Sequence, residues 1–162
     1  MITLTLPYPI SANRYWQTRV MNAKSAGGRA MATTYISADA KAYKKQVQLL
    51  AHAAGVCAPI EGRYEMHIQL YPNRPQDWKT RQRKLGAAWD DGVMCIDLGN
   101  AEKVLSDALR DIVITDDKWA RRIVSERMEP DGEARVVVTI AAIPVVQPQG
   151  DLLGVAQVRE AA

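Results

Sequence analysis

The chain has 162 residues, 48% of them apolar and 24% charged, an ordinary globular balance that suits one domain and leaves little room for a second. No run of about 18 uncharged apolar residues is available to cross a membrane, and the N-terminus lacks the basic head and apolar block of a secretory signal, so the cytoplasm is the expected compartment. The net charge of +3 is mildly basic, and two histidines with two cysteines outside any Cys-x-x-Cys pair exclude a zinc site of the usual spacing.

Residues Ile2 to Leu6 alternate apolar and polar, as a half-buried strand does, and Pro7 and Pro9 end it because proline cannot donate to a ladder. Ser11 to Trp16 reads as a polar, aromatic loop. The small, basic and aperiodic residues from Gln17 to Thr34 read as a mobile loop. Ser37 then predicts an N-cap with Asp39 in the first turn. Ala40, Tyr43, Val47, Leu50 and Ala54 follow at helical spacing, on a helix that Gly55 closes. Tyr64, Met66, Ile68 and Leu70 alternate with Glu65, His67 and Gln69 in a second strand.

Pro72 to Gly92 is long, polar and basic, with helix expected within Thr80 to Ala88. The apolar run Val93 to Ile96 leads to a helix starting near Asp97 to Asn100. Its buried face would hold Ala101, Val104, Leu105, Ala108 and Leu109, and its polar side Lys103, Asp107 and Arg110. Two strands, about Ala120 to Met128 and Ala134 to Ile143, flank the turn Pro130-Asp131-Gly132. No internal repeat is visible. The order predicts a compact α/β or α+β domain over 1–143, with a mixed sheet and helices on one face. Residues 144–162, rich in small residues, glutamine, glycine and proline, would form a poorly ordered tail or an arm on a partner.

Two basic clusters stand out. Arg74, Lys79, Arg81, Arg83 and Lys84 surround Trp78, and Lys118, Arg121, Arg122 and Arg127 follow Asp116-Asp117. Each reads either as a solvated face or as a phosphate-binding surface. Between them lies Asp97-Leu98-Gly99-Asn100-Ala101-Glu102-Lys103, with Asp117 fourteen residues after the lysine. Hydrolysing a phosphodiester near neutral pH calls for an activated water and for compensation of charge on the phosphorane-like transition state. Magnesium held by two or three carboxylates supplies both, and a nearby lysine stabilises charge on the phosphate. Spacing alone leaves the plainer alternative open: Asp97 as an N-cap and Asp116-Asp117 as a turn.

This stretch resembles the motif of the RusA family of Holliday junction resolvases, Asp-x-Asp-Asn-x-x-Lys followed by Asp-Ala-Leu and an Asp-Asp pair. The matching residues here are Asp97 to Lys103, then Asp107-Ala108-Leu109, then Asp116-Asp117. The opening is similar too: a strand, Leu6-Pro7-Tyr8-Pro9, and Ser11 to Trp16, followed by Tyr35-Ile36-Ser37 leading to Ala42-Tyr43. The resemblance spans residues 2 to 143. It implies a magnesium-dependent endonuclease, with manganese expected to substitute, that works as a homodimer and cuts opposite strands of a four-way DNA junction. It implies no nucleotide cofactor and no membrane.

By motif position, Asp97 and Asp117 would bind the metal and Lys103 the scissile phosphate, with Asp116 a further candidate ligand. Asn13, Arg14 and Tyr15, together with Arg74, Lys79, Arg81, Arg83 and Lys84, would contact DNA. Tyr15 and Trp16 are candidates either to stack on unpaired bases or to anchor a loop, and Trp78 and Trp89 for DNA or dimer contacts. One departure matters: Gly99 stands where the family has its second acid. Either Glu102, or Asp90 and Asp91, substitutes, or the chain binds branched DNA with weakened or lost cleavage.

Overall fold

The computed structural model describes residues 1–21 and 31–145. Strand β1 (Ile2–Pro7) is followed by one turn of helix, α1 (Ala12–Tyr15), and by two strands, β2 (Trp16–Met21) and β3 (Met31–Ile36). Then come helix α2 (Ala38–Ala53), strand β4 (Tyr64–Tyr71) and helices α3 (Trp78–Leu85) and α4 (Leu98–Leu109). Strands β5 (Ala120–Arg127) and β6 (Arg135–Ala142) complete the described order.

Four strands form one mixed sheet in the order β1-β6-β4-β5. Both β1 and β4 run antiparallel to β6, pairing Leu4 with Val138 and Ile68 with Val138, while β5 lies parallel to β4. Alternation does what the sequence predicts. Leu4, Leu6, Tyr64, Met66, Ile68, Leu70, Val136, Val138 and Ile140 are buried on one face. The apolar stripes of α2 and α4, including Tyr43, Val47, Val104 and Leu105, complete the same core. At roughly 1.5–3 kcal/mol for each fully buried large aliphatic side chain, this layer is the main source of stability. The other face carries Thr3, Thr5, Glu65 and a hydrogen bond between His67 Nε2 and Glu126 Oε2 at 2.6 Å, linking β4 and β5.

Helix α2 starts where Ser37 predicts. Its hydroxyl accepts the Ala40 N–H at 3.1 Å, and its own N–H donates to the Tyr15 carbonyl at 2.9 Å, tying α1 to α2. Ser37→Ala should lower the unfolding free energy by about 1 kcal/mol in a urea titration. A change near zero would mean that the cap carries none of the stability.

Two expectations are corrected. The segment from Ser11 to Tyr15 is not simply loop, because the Arg14 and Tyr15 N–H groups both donate to the Ser11 carbonyl and close a helical turn. The region from Gln17 to Thr34 is an antiparallel ribbon where it is described, pairing Trp16 with Ile36 and Thr18 with Thr34. Residues 22–30 of the expected loop lie outside the described residues. Threonine, valine and aromatic side chains favour the extended backbone, but residues 17–20 and 32–35 are exposed on both faces, so no apolar alternation marks them. Of the expected tail, only 144 and 145 are described. No helix among the described residues is long and apolar enough to cross a membrane.

Candidate active site

The site grows from the start of α4. Asp97 has the extended backbone of an N-cap, and its carbonyl accepts the first helical bond from the Ala101 N–H at 3.0 Å. Its carboxylate caps nothing and instead accepts the Asn100 side-chain amide at 3.2 Å. Asp116 is the reverse case. Its carboxylate accepts the Lys118 N–H at 3.0 Å, capping the 3-10 turn Asp117–Trp119. That backbone donor holds the Asp116 carboxyl below the usual aspartate range. The capping alternative therefore describes Asp116 but not Asp97.

Helical spacing carries the site onward. Asn100, Lys103, Asp107 and Arg110 fall three and four residues apart on the polar side of α4. They line an open cleft of about 950 Å³, together with Asp97, Gly99, Glu102, Asp117 and Trp16. Three of the motif positions, Asp97, Lys103 and Asp117, thus share one cleft, and Glu102 joins them. Its carboxylate accepts the Ser125 hydroxyl of β5 at 3.3 Å. Asp116 is not part of the lining, and neither are Asp90 and Asp91. Those two follow the turn Gly86–Ala88, and the Asp90 carbonyl accepts from Arg127. Of the acids weighed as replacements at Gly99, only Glu102 faces the cleft.

Two members of the cleft are held by partners. The Arg110 Nη2 sits 2.9 Å from Asp117 Oδ1. Burial opposes the guanidinium's charge, but Asp117, with Asp116 and Asp107 further off, outweighs it and raises the Arg110 pKa. Asp107 accepts the phenol proton of Tyr15. Tyr15 is fully buried, and burial followed by the Asp107 hydrogen bond pushes its pKa well above the ordinary value. A buried ring has no surface on which a base could stack, so the expected DNA contact at Tyr15 gives way to its alternative, an anchor. Trp16 packs against it at 4.5 Å between ring centroids and reaches the cleft itself. Sequence reasoning placed Asp107 and Arg110 on the polar side of the helix but gave neither a role. The signal was their register with Lys103.

A second groove, about 1010 Å³, shares Asp97 and Asn100 with the first. Asn13, Arg14 and Arg81 line it, with Arg14 paired to Asp39 at 2.7 Å and Arg81 to Asp77 at 2.9 Å. The remaining expected contacts lie apart from both depressions. Lys79, Arg83 and Lys84 are exposed on α3, while the Arg74 guanidinium stacks 4.9 Å from the Trp78 ring centre. Trp89 is buried and its indole N–H donates to Glu129 at 2.8 Å, which makes it a packing residue.

No His, Cys, Asp and Glu side chains among the described residues converge in threes as a preformed cation site. The ionisable ligands lining the cleft are oxygen donors only, Asp97, Glu102, Asp107 and Asp117, with no thiolate and no imidazole. Such a set suits magnesium, which takes one or two carboxylates and completes its shell with water and substrate phosphate. The family model described as endodeoxyribonuclease RusA matches residues 7–141. The search of curated proteins gives no significant match.

Proposed function

Because the chain belongs to the RusA family of endodeoxyribonucleases, we propose that it resolves four-way DNA junctions by magnesium-dependent phosphodiester hydrolysis, acting as a homodimer. The observation that carries this reading is the meeting of Asp97, Lys103 and Asp117 in one cleft, from the start of α4, its second turn and a separate turn before β5. A divalent ion at Asp97 and Asp117, with Glu102 beside them, would activate water and offset charge on the phosphate. Lys103 would hold the scissile phosphate from the solvent side, since its side chain is exposed in the cleft. The adjoining groove, with Asn13, Arg14 and Arg81, would guide a DNA arm past Asp97. Paired cuts follow if two copies related by a two-fold axis each take one strand of a near-symmetric junction.

The test is a labelled synthetic four-way junction beside a linear duplex of the same sequence, with magnesium or manganese. Paired nicks at symmetric positions in the junction alone are expected. Equal cutting of the duplex would remove the structural selectivity from the proposal.

Gly99 favours a second reading, a branched-DNA-binding member with weakened cleavage, because it removes one acid from the motif. The same residue supplies the discriminating variant. A Cβ built at Gly99 meets no atom within 4 Å, and the backbone there is not left-handed, so aspartate fits without strain. Gly99→Asp should lower the magnesium concentration for half-maximal cleavage several-fold. It should also raise stability by about 0.5 kcal/mol, since a glycine leaves the first turn of a helix and an anion enters it. Tight junction binding by the wild type with no cut in either metal, and cutting by Gly99→Asp, would establish the second reading.

A further inference from the structure

We propose that Arg110 is a counter-cation built into the cleft: it neutralises Asp117 when no divalent ion is bound there, competes with the ion for that carboxylate, and on release turns to the substrate phosphate. The inference rests on the nuclease reading of the cleft and assigns a residue that the family motif leaves without a role.

The geometry carries it. Arg110 ends α4, with its backbone turned out of the helix at ψ 138°. The next residue, Asp111, holds a φ of 65°, and its N–H donates to the Ile114 carbonyl at 2.8 Å. The Cα of Arg110 is therefore pinned, while its side chain has several rotatable bonds on which to swing. Both partners of the 2.9 Å pair remain open to solvent, the arginine side chain 37% exposed and the aspartate 52%. An incoming ion or phosphate can reach either one without unfolding anything.

The pairing also leaves a cost in place. The Arg110 Nε is buried and has no hydrogen-bond partner among the described residues. A buried donor without an acceptor is unfavourable, and native structures rarely retain one without a reason. The conformation chosen by Asp117 satisfies one edge of the guanidinium and strands another. The Tyr64 hydroxyl is unpartnered in the same way, and its phenol is pushed up to about 12, by burial first and then by Asp117 and Asp116. The Arg110 Nε and the Tyr64 hydroxyl thus both lack a partner among the described residues, and both lie within the electrostatic reach of Asp117. Arginine suits the second half of the role, because its planar fork meets phosphate oxygens in pairs. With Gly99 in place of an acid, one resident cation offsets a larger share of the cleft's negative charge than it would against a full set.

The experiment titrates manganese alone into the full chain, without DNA, and follows free manganese by electron paramagnetic resonance. Arg110→Gln should bind manganese roughly fivefold more tightly than wild type, the scale on which a partly exposed ion pair competes. Arg110→Lys, which keeps the charge, should stay within about twofold. Lys45→Gln, on the exposed side of α2, removes the same net charge elsewhere and should leave manganese affinity unchanged. In calcium, Arg110→Gln should also weaken junction binding and reduce the dependence of log affinity on log salt by about one phosphate contact. Unchanged or weaker manganese binding by Arg110→Gln, or equal tightening by Lys45→Gln, would overturn the inference and leave the nuclease reading standing. A wild type that binds no manganese would take both down.

Discussion

Asp117→Asn is expected to abolish junction cleavage, lowering the single-turnover rate by roughly a thousandfold or more, while junction affinity in calcium stays within a few-fold of wild type. The substitution keeps the size and hydrogen-bonding shape of the side chain and removes only its charge. In the cleft, that charge is one of the two best placed to hold a divalent ion, because Asp97 and Asp117 line it while Asp107 is held by the Tyr15 hydroxyl and Asp116 is spent on a cap. Loss of one anionic ligand weakens a hard cation far more than it weakens DNA binding, which rests on lysine and arginine. The fold should tolerate the change, since the broken Arg110–Asp117 pair is partly exposed and contributes at most about 1 kcal/mol. Junction cleavage and mobility shift, run on the same preparation, check both halves. Cutting at the wild-type rate would sink the metal site proposed at Asp97 and Asp117.

Lys103→Ala should reduce the single-turnover rate about a hundredfold with a much smaller loss of junction affinity. Lys103 projects from the second turn of α4, between Gly99 and Asp107, and is exposed in the cleft. A cation aimed at a phosphate that gains charge in the transition state contributes to the rate more than to ground-state binding. An affinity loss as large as the rate loss would instead make Lys103 an ordinary backbone contact. Lys103→Arg keeps the charge but changes its shape, and should recover only part of the rate.

Much of this was legible in the chain itself, and the reasons differ from residue to residue. The buried stripe of α4 and the alternation in β1, β4 and β6 are one-sided patterns, and a helix or strand that buries one face writes its period into the sequence. The stripe of α2 holds through Val47, but Leu50 and Ala54 are exposed and Ala51 is buried in their place. Residues 17–20 and 32–35 of the ribbon bury neither face, so its pairing of Thr18 with Thr34 left no such mark. Asp116 and Asp117 could not be told apart by spacing, because which of two neighbours caps a turn depends on backbone dihedrals that sequence only biases. The fate of Tyr15 was hidden for a different reason. Its hydrogen-bond partner Asp107 lies on α4, far along the chain, and an aromatic residue in a polar segment looks the same whether it faces DNA or the core. The basic stretch from Arg74 to Lys84 was visible as charge, yet only Arg81 of that group lines the groove beside Asp97. The rest are distributed by the turn of α3 and by the stacking of Arg74 on Trp78.

The strand order also governs when the enzyme can come into being. Among the described residues, β1 has β6 as its sole neighbour in the sheet, so Ile2 waits for Ile140 before its backbone is paired. The whole of α4, with Asp97, Lys103 and Arg110, is made while the first strand is still without a mate. Contacts so distant in sequence are slow to form, because the loop between them must lose its freedom before any pairing rewards it. During synthesis α4 therefore precedes completion of the four-stranded sheet. Until β6 has been synthesised, β1 has no strand among the described residues to pair with, and the first residues of the chain join the sheet last.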